Sequence, residues 1–266
     1  MILHLIMPDS EWWPLFQDLR FAGSRVHPQH GLCFVAEGRI LVEDLLAWGR
    51  RGRVRVLAVL GEAVQAEALA PRLPVGTALL TATRRDLEAL VGFPFHRGLL
   101  AAAVVPAPRD LEGLGACRRL LVLPAVADAE NLGLLLRSAA ALGLDGALLG
   151  PGPDPFSRRA VRVSMGAVWK LPLWRTADLW AALAAWGREG GQVVGAALDS
   201  GAVPVRHWVP VPRTALVLGP EGPGLDRSDL ARCDLTVGIP MAPDVDSLNV
   251  AAAGAILMHW LMQALS

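Results

Sequence analysis

Two loops towards the C-terminal end of the sequence combine glycines with polar side chains that could bind a small ligand. An apolar run at residues 215–218 stops at a loop that reads GPEGPG, and a second run at residues 236–239 stops at Pro240. Continuous apolar runs that stop at glycine or proline are typical of interior strands of a parallel sheet. Glycines let the main-chain N–H and C=O groups of such loops approach a ligand closely, which suits an adenine or an amino-acid group.

The second loop leads to Ser247, Leu248 and Asn249, which open a long apolar helix predicted to extend to about residue 265. Loops at the ends of neighbouring strands, beside a helix N-terminus, form the crevice in which open α/β sheets bind ligands. We therefore expect a binding site between these strand ends. The loops themselves leave one alternative open, in which the glycines serve turn geometry alone.

Arg137 is a second candidate for chemistry because it is the only charge in a predicted helix at residues 131–142. Asn131 is a suitable N-cap for this helix, and Gly133 in its first turn allows close approach. Burying an unpaired guanidinium is costly, so Arg137 needs an anionic ligand or a carboxylate partner. A structural ion pair is the alternative to a role in binding.

The elements that position these residues fall into two parts. Residues 1–106 alternate between strand and helix patterns, which predicts a small α/β sandwich domain. The stretch 107–115 contains proline and glycine and is predicted to be a linker. Residues 116–266 form a second α/β domain, and their apolar runs indicate a parallel sheet.

The charge balance excludes a globally basic nucleic-acid binder. The chain has 25 basic and 25 acidic side chains, so its formal net charge is zero. Any contact with nucleic acid must come from local clusters, such as the arginines within residues 50–55 and 158–162. A solvated charged face is the ordinary explanation of such clusters.

Cysteine and histidine usage argues against disulfides and metal sites. The three cysteines, Cys33, Cys117 and Cys233, are far apart and odd in number, which favours a reducing, cytoplasmic location. His27 and His30 flank Pro28, which is a poor arrangement for metal ligation. The apolar N-terminus lacks the basic region of a signal peptide, and no apolar run reaches membrane-spanning length.

Three motifs occur in an order that is characteristic of one enzyme family. The first is NLGLLLRSA at residues 131–139, the second is LGPEGPGL at 218–225, and the third pairs IPM at 239–241 with SLNV at 247–250. The intervening SMGA at 164–167 also fits. Together they resemble the SpoU family of S-adenosylmethionine-dependent RNA ribose 2′-O-methyltransferases, within the SPOUT superfamily. Each motif alone is weak evidence, but three in this order and spacing are strong.

The resemblance implies an α/β fold in which a C-terminal parallel-sheet domain carries a C-terminal trefoil knot. It also implies a homodimer formed through this catalytic domain, with S-adenosyl-L-methionine as cofactor. The N-terminal domain is similar to a small ribosomal protein and would bind the RNA substrate. The expected reaction is methyl transfer to a ribose 2′-hydroxyl of structured RNA, with ribosomal RNA favoured over transfer RNA by the two-domain layout.

The resemblance also assigns roles to individual residues. Those that match catalytic positions are Arg137, Asn131, Glu221, Ser247 and Asn249, and Asn131 and Arg137 would be nearest the reacting hydroxyl. Those that match cofactor-binding positions are Leu218, Gly219, Glu221, Gly222, Ile239, Met241, Ser247 and Leu248. Candidate RNA contacts are Arg39, Arg97, Arg158, Arg159 and Arg162.

The resemblance implies that Arg137 matches an arginine often proposed as the base in the family, but a guanidinium is effectively always protonated. We therefore expect Arg137 to hold an RNA phosphate and to stabilise negative charge developing on the 2′-oxygen.

The sequence departs from the family pattern at several positions. Pro220 replaces the usual Asn, Ala242-Pro243 replaces a glycine, and Asp246 replaces a Glu. These departures and the neutral charge leave two alternatives open. One is a non-catalytic RNA-binding or ribosome-assembly protein that keeps the fold, and the other is an enzyme with a small-molecule substrate.

Overall fold

A computed structural model of the protein describes residues 4–20, 23–96, 98–198, 201–244 and 247–264. The chain divides into two compact units: unit 1 contains residues 1–107 and 154–169, and unit 2 contains residues 108–153 and 170–266. The sequence interpretation places residues 154–169 in the C-terminal domain, whereas in the structure they pack on the N-terminal unit.

Strands and helices alternate along most of the chain. The strands are β1 (His4–Leu5), β2 (Arg25–His27), β3 (Gly31–Glu37), β4 (Val56–Gly61), β5 (Ala78–Thr81), β6 (Leu99–Val104), β7 (Arg119–Leu123), β8 (Gly146–Leu149), β9 (Leu173–Arg175), β10 (Gln192–Ala196), β11 (Val203–Pro204), β12 (Thr214–Val217) and β13 (Leu235–Gly238). The α-helices are α1 (Trp13–Phe16), α2 (Arg39–Arg50), α3 (Ala63–Glu67), α4 (Arg84–Val91), α5 (Ala129–Leu142), α6 (Arg158–Val163), α7 (Ala167–Lys170), α8 (Leu179–Arg188), α9 (Arg227–Leu230) and α10 (Val250–Gln263). Short 3-10 helices lie at Ala70–Arg72, Leu111–Ala116 and Val205–His207, and the second of them begins in the predicted linker.

Unit 1 is built on a mixed sheet with the strand order β1-β5-β4-β6-β3-β2 among the described residues. β6 is antiparallel to both β3 and β4, so the starts of β3 and β4 lie at one end of the sheet and their ends at the other. One face packs on α4, where Leu87 and Leu90 are buried against Leu57 and Leu100. This burial explains why the apolar residues of α4 recur at helical spacing.

Segment 154–169 is fixed to unit 1 by aromatic and polar contacts. Phe34 of β3 packs against Phe156 at 5.1 Å and Trp169 at 5.6 Å between ring centroids. Trp169 also donates a hydrogen bond from Nε1 to Asp44 Oδ2 at 3.0 Å. The apolar and polar contacts together explain why this segment leaves its sequence neighbours for unit 1.

Arg158, which the sequence predicts to contact RNA, takes part in the same packing, and its role in RNA binding stays a prediction. Its Nη2 lies 2.6 Å from Glu37 Oε2, and the carboxylate is buried. Its guanidinium also lies over the Phe93 ring, 4.1 Å from the centroid. If this guanidinium moved to bind a phosphate, the buried carboxylate would be left without a charge partner, which is energetically costly.

Unit 2 contains a parallel sheet with the order β11-β13-β10-β12-β7-β8-β9 among the described residues, which confirms the predicted sheet type. The expectation that β12 and β13 are neighbours is wrong, because β10 pairs with both and lies between them. The carboxyl end of β10 therefore separates the two motif-bearing loops.

Helix α5 begins earlier than the sequence predicts. Asp128 is the N-cap, and its side chain accepts a hydrogen bond from the backbone N–H of Glu130. The interpretation of Asn131 as N-cap is therefore wrong. Asn131 lies inside the first turn, which leaves its amide free to contact other segments. Helix α10 is capped by Asn249, whose Oδ1 accepts from the N–H groups of Ala251 at 2.9 Å and Ala252 at 3.3 Å.

Within the described ranges, no helix has both the length and the apolar character needed to cross a lipid bilayer.

Replacing Arg158 should destabilise unit 1 because it leaves the Glu37 carboxylate in a low-dielectric environment without its guanidinium partner. We expect Arg158→Ala to lower the free energy of unfolding by about 3 kcal/mol, measured by urea denaturation. The control is Arg85→Ala, since Arg85 is exposed on α4 and its loss should change stability by less than about 0.5 kcal/mol. Equal stability of the two variants would contradict the structural role of Arg158.

Candidate active site

The carboxyl ends of β10, β12 and β13 and the start of α10 surround a cavity of about 450 Å³ within unit 2. All eight residues predicted to bind the cofactor line it. They come from three places: the loop after β12, the loop after β13, and Ser247 and Leu248 immediately before α10. Residues that are up to thirty positions apart in sequence are thus brought together at one edge of the sheet.

Part of the cavity wall has no counterpart in the sequence prediction. Ala196, Ala197 and Leu198 at the end of β10 line the cavity between the two motif loops. These side chains carry no polar groups, so only the strand order could have identified them. They contribute apolar surface and main-chain polar groups, which are the features expected of a pocket for a small organic ligand.

The loop after β12 is tightly folded against itself. A Cβ atom at Gly219 would lie 2.3 Å from both the carbonyl carbon of Gly224 and the amide nitrogen of Leu225. Only glycine fits there, since these neighbours are backbone atoms that cannot move independently of the loop. The backbone N–H of Gly224 donates to the carbonyl of Pro220 at 3.1 Å, which closes the loop. Pro220 therefore lacks a donor but still supplies the acceptor that holds the loop together.

A chain of side-chain hydrogen bonds, the Glu221–Asn131–Asn249 relay, connects the three sequence motifs. Asn131 Nδ2 donates to Glu221 Oε1 at 2.8 Å, and Asn249 Nδ2 donates to Asn131 Oδ1 at 3.0 Å. Because Asn249 also caps α10, the relay fixes the first turn of α5 to the N-terminus of α10.

The carboxylate of Glu221 also accepts hydrogen bonds from the main chain ahead of α5. The N–H of Ala127 lies 3.1 Å from Oε2, and the N–H of Asp128 lies 3.4 Å from Oε1. Partial burial acts to raise the pKa of Glu221, but hydrogen bonds from Ala127, Asn131 and Asp128 to the ionised form outweigh it, so the net pKa is lowered. Glu221 is therefore ionised at neutral pH and is committed as a hydrogen-bond acceptor.

Two predicted catalytic residues lie outside the relay. Ser247 lines the cavity, and its side chain is exposed. Arg137 is exposed on α5 and does not line the cavity of its own chain. Arg137 lies six positions after Asn131 in the helix, which places it about 120° around the helix axis and about 9 Å along it. In the described part of the chain, the Arg137 side chain makes no hydrogen bond or ion pair.

The other RNA-contact candidates are spread over unit 1. Arg39 is exposed at the start of α2 and pairs with Glu43 at 2.9 Å. Arg159 is exposed on α6 and Arg162 is half-buried there. Arg97 lies outside the described residues, as does Asp246. Roles of Arg39, Arg159 and Arg162 in RNA binding stay predictions.

Comparison with known proteins decides the family. The sequence profile described as the SpoU rRNA Methylase family matches residues 118–259. The chain belongs to the SpoU rRNA methylase family. An uncharacterized tRNA/rRNA methyltransferase of Mycobacterium tuberculosis is 35% identical over 95% of this chain and 88% of its own length.

Two further proteins that are similar to this chain are named as rRNA methyltransferases. The 23S rRNA (guanosine(2553)-2′-O)-methyltransferase RlmP of Bacillus subtilis is 37% identical over 60% of this chain and 63% of its own length. The structure of an rRNA methyltransferase from Sinorhizobium meliloti with AdoMet bound is 26% identical, with a TM-score of 0.74 over 88% of each chain. The fold of this chain is thus that of SpoU methyltransferases.

Over the described ranges, no group of three or more histidine, cysteine, aspartate or glutamate side chains is arranged to hold a metal ion.

Substituting Glu221 should produce a pH-dependent loss of stability. Its lowered pKa means that the ionised form is favoured by folding, so its contribution is complete above the ordinary value of 4.5 and disappears as the pH falls through the lower folded value. We expect Glu221→Gln to cost about 1 kcal/mol at neutral pH, because the group is partly exposed and solvent screens its charge.

The difference in unfolding free energy between the wild type and Glu221→Gln should shrink only below about pH 4.5. Glu67→Gln removes an exposed carboxylate on α3 and serves as the control. A difference that does not change between neutral and acidic pH would show that the ionised carboxylate does not hold the relay.

Proposed function

We propose that the protein transfers a methyl group from S-adenosyl-L-methionine to a ribose 2′-hydroxyl of structured RNA, ribosomal RNA in preference to transfer RNA. The observation that supports this most directly is the convergence of all eight predicted cofactor residues on one cavity, with the relay attached to it. The activities named for RlmP and for the Sinorhizobium structure agree with the proposal.

The cavity suits the cofactor in size and chemistry. About 450 Å³ lies within the usual range of small-molecule sites. We assign Leu218, Ile239 and Leu248 to the apolar walls around the adenine, and the main chain of the two loops to its polar edges. When bound, S-adenosylmethionine supplies an electrophilic methyl group on a sulfonium.

The residues of the relay position the reacting hydroxyl, and they do not accept the proton that this hydroxyl loses. Glu221 already accepts hydrogen bonds from Ala127, Asp128 and Asn131, and its lowered pKa makes it a weak base. We therefore assign Glu221 and Asn249 to holding Asn131 in place. The fixed amide of Asn131 aligns the ribose 2′-hydroxyl with the methyl group. This alignment brings the two bound reactants close enough for transfer.

Arg137 contributes a charge that its own chain leaves uncompensated within the described ranges. We propose that its guanidinium binds an RNA phosphate and stabilises the negative charge that develops on the 2′-oxygen. Its exposure on α5, away from the cavity of the same chain, supports a role that is completed by RNA or by a second subunit.

We also propose that the protein is a homodimer formed through the catalytic domain and that this domain contains the family's trefoil knot. Exposed Ile256 on α10, the helix that packs beside α5, is consistent with such an interface. Residues 1–106 would then act as the RNA-binding domain, linked through 107–115 to the catalytic domain at 116–266. A cytoplasmic location fits the three free cysteines.

Cofactor binding should depend on the closed loop after β12. We expect isothermal titration calorimetry to show one S-adenosylmethionine bound per chain, and Gly219→Ala to weaken this at least tenfold because its Cβ would collide with Gly224 and Leu225. Gly187→Ala is the control, since its Cβ meets only an ordinary contact at 3.8 Å in α8. Absence of binding at millimolar cofactor would favour the non-catalytic alternative.

Methyl transfer should depend on the guanidinium of Arg137. We expect Arg137→Lys to lower turnover by about tenfold to a hundredfold with RNA binding retained, because an ammonium cannot form the bidentate contact. The assay follows tritiated methyl incorporation into total RNA, and a 2′-deoxy nucleotide at the modified position is the control for the site of transfer. Near-wild-type turnover would exclude a special role of the guanidinium.

A further inference from the structure

The turn between α2 and β4 carries a dense positive charge that the proposed function leaves unexplained. Within residues 50–55, here called the 50–55 turn, Arg50, Arg51, Arg53 and Arg55 are all exposed. The Nη1 of Arg50 donates to the carbonyl of Arg72, so this arginine serves the local structure. The other three project from the turn without such a contact.

The backbone beneath these arginines is held in a defined shape. The N–H of Arg53 donates to the carbonyl of Trp48 at 3.1 Å, and the N–H of Gly52 donates to the carbonyl of Gly49 at 2.9 Å. Gly52 has a positive φ of 68°, which completes a Schellman motif at the end of α2. The ordering of this loop is therefore achieved in the folded chain before any partner binds.

Intramolecular pairing does not account for the charge. In the described part of the chain, the side chains of Arg51, Arg53 and Arg55 make no ion pair or hydrogen bond. The net pKa of His30 is lowered, first by burial and then by the charges of His27 and Arg55, although Glu11 acts to raise it. The helix dipole favours cations in the last turn of α2, but Arg53 and Arg55 lie beyond that turn.

The 50–55 turn lies at the end of the sheet opposite to the expected RNA contacts. It precedes β4, whereas Arg39 begins α2 at the other end, where β3 and β4 finish. Six residues of β4 separate the two ends by about 20 Å. A partner that contacts both ends would therefore have to extend over about 20 Å.

The net charge of unit 1 matches an anionic partner. Its residues include 14 arginines and 11 acidic side chains, a formal charge of +3, whereas unit 2 has 11 basic and 14 acidic side chains. A chain that is neutral overall thus presents a basic unit, and the 50–55 turn is its densest basic segment.

We propose that Arg51, Arg53 and Arg55 form a second RNA-binding site that contacts the phosphate backbone, separate from the Arg39 end of unit 1. The inference rests on the proposed action on RNA. Phosphate is the fitting ligand because three exposed guanidinium groups each offer paired donors, and Arg pairs with phosphate in bidentate geometry. Such contacts add affinity and orientation without reading sequence.

The test measures the salt dependence of RNA binding by fluorescence anisotropy with an RNA hairpin of about 16 base pairs, between roughly 50 and 200 mM KCl. Each phosphate contact contributes about 0.7 to 0.9 to the slope of log affinity against log salt. We expect the triple variant R51Q/R53Q/R55Q to lower this slope by about 2 to 3 in magnitude and to weaken binding about tenfold to a hundredfold at the lower salt.

Two matched variants separate a local site from a general charge effect. R51K/R53K/R55K keeps the charge and should keep a wild-type slope. R188Q/R206Q/R227Q removes three exposed arginines from unit 2 and should change the slope by less than about 1. S-adenosylmethionine affinity should be unchanged in all three, which reports an intact catalytic unit.

A wild-type slope in R51Q/R53Q/R55Q, or an equal decrease in the unit 2 variant, would overturn the second site while the proposed methyl transfer still stood. If the wild-type protein binds the cofactor but shows no salt-dependent RNA binding, both the second site and the RNA substrate are excluded.

Discussion

The Glu221–Asn131–Asn249 relay is the interaction on which the arrangement of the site depends. Its two side-chain hydrogen bonds span sequence separations of 90 and 118 residues, so it joins segments that share no local structure. Each partner also serves its own segment: Glu221 accepts main-chain N–H groups before α5, and Asn249 caps α10. Removing one member leaves partners unsatisfied in two places, and a partly satisfied polar network is less stable than its separate bonds suggest.

The net charge differs more between the two structural units than between the two parts of the sequence on either side of residue 106. A division at residue 106 gives 11 basic against 10 acidic side chains in the first part, which is nearly neutral. Segment 154–169 adds three arginines and one aspartate to unit 1 and raises its charge to +3. Arg158 is then neutralised by buried Glu37, so the effective positive charge lies elsewhere on the unit. A neutral chain can therefore carry the local field that association with RNA requires.

Local patterns predict the elements of this protein better than their arrangement. The Thr83 cap of α4 and the Gly143 end of α5 follow from residue chemistry and occur as expected. The start of α5 does not, because Asp128 and Asn131 are both good caps. In the structure Asp128 caps the helix, and the Asn131 side chain bonds the distant Glu221 carboxylate. The position of β10 between β12 and β13 is likewise a long-range property. Its alanines carry no polar side-chain groups, and they line the cavity because of this strand order, which a sequence motif does not contain.

The loop that contains Pro220 is closed by a backbone hydrogen bond although its sequence departs from the family pattern. Proline removes one side-chain amide and one backbone donor, but its carbonyl still accepts the N–H of Gly224 and its fixed φ limits the unfolded chain. Gly219 remains because backbone atoms lie 2.3 Å from where a Cβ would stand, and Glu221 remains because the relay needs its carboxylate. Gly219 thus has a steric role in this loop, and Glu221 has a hydrogen-bonding role. Pro220 has no N–H group to donate to the cofactor. It can therefore contribute to cofactor binding only through the shape of the loop and through apolar contact.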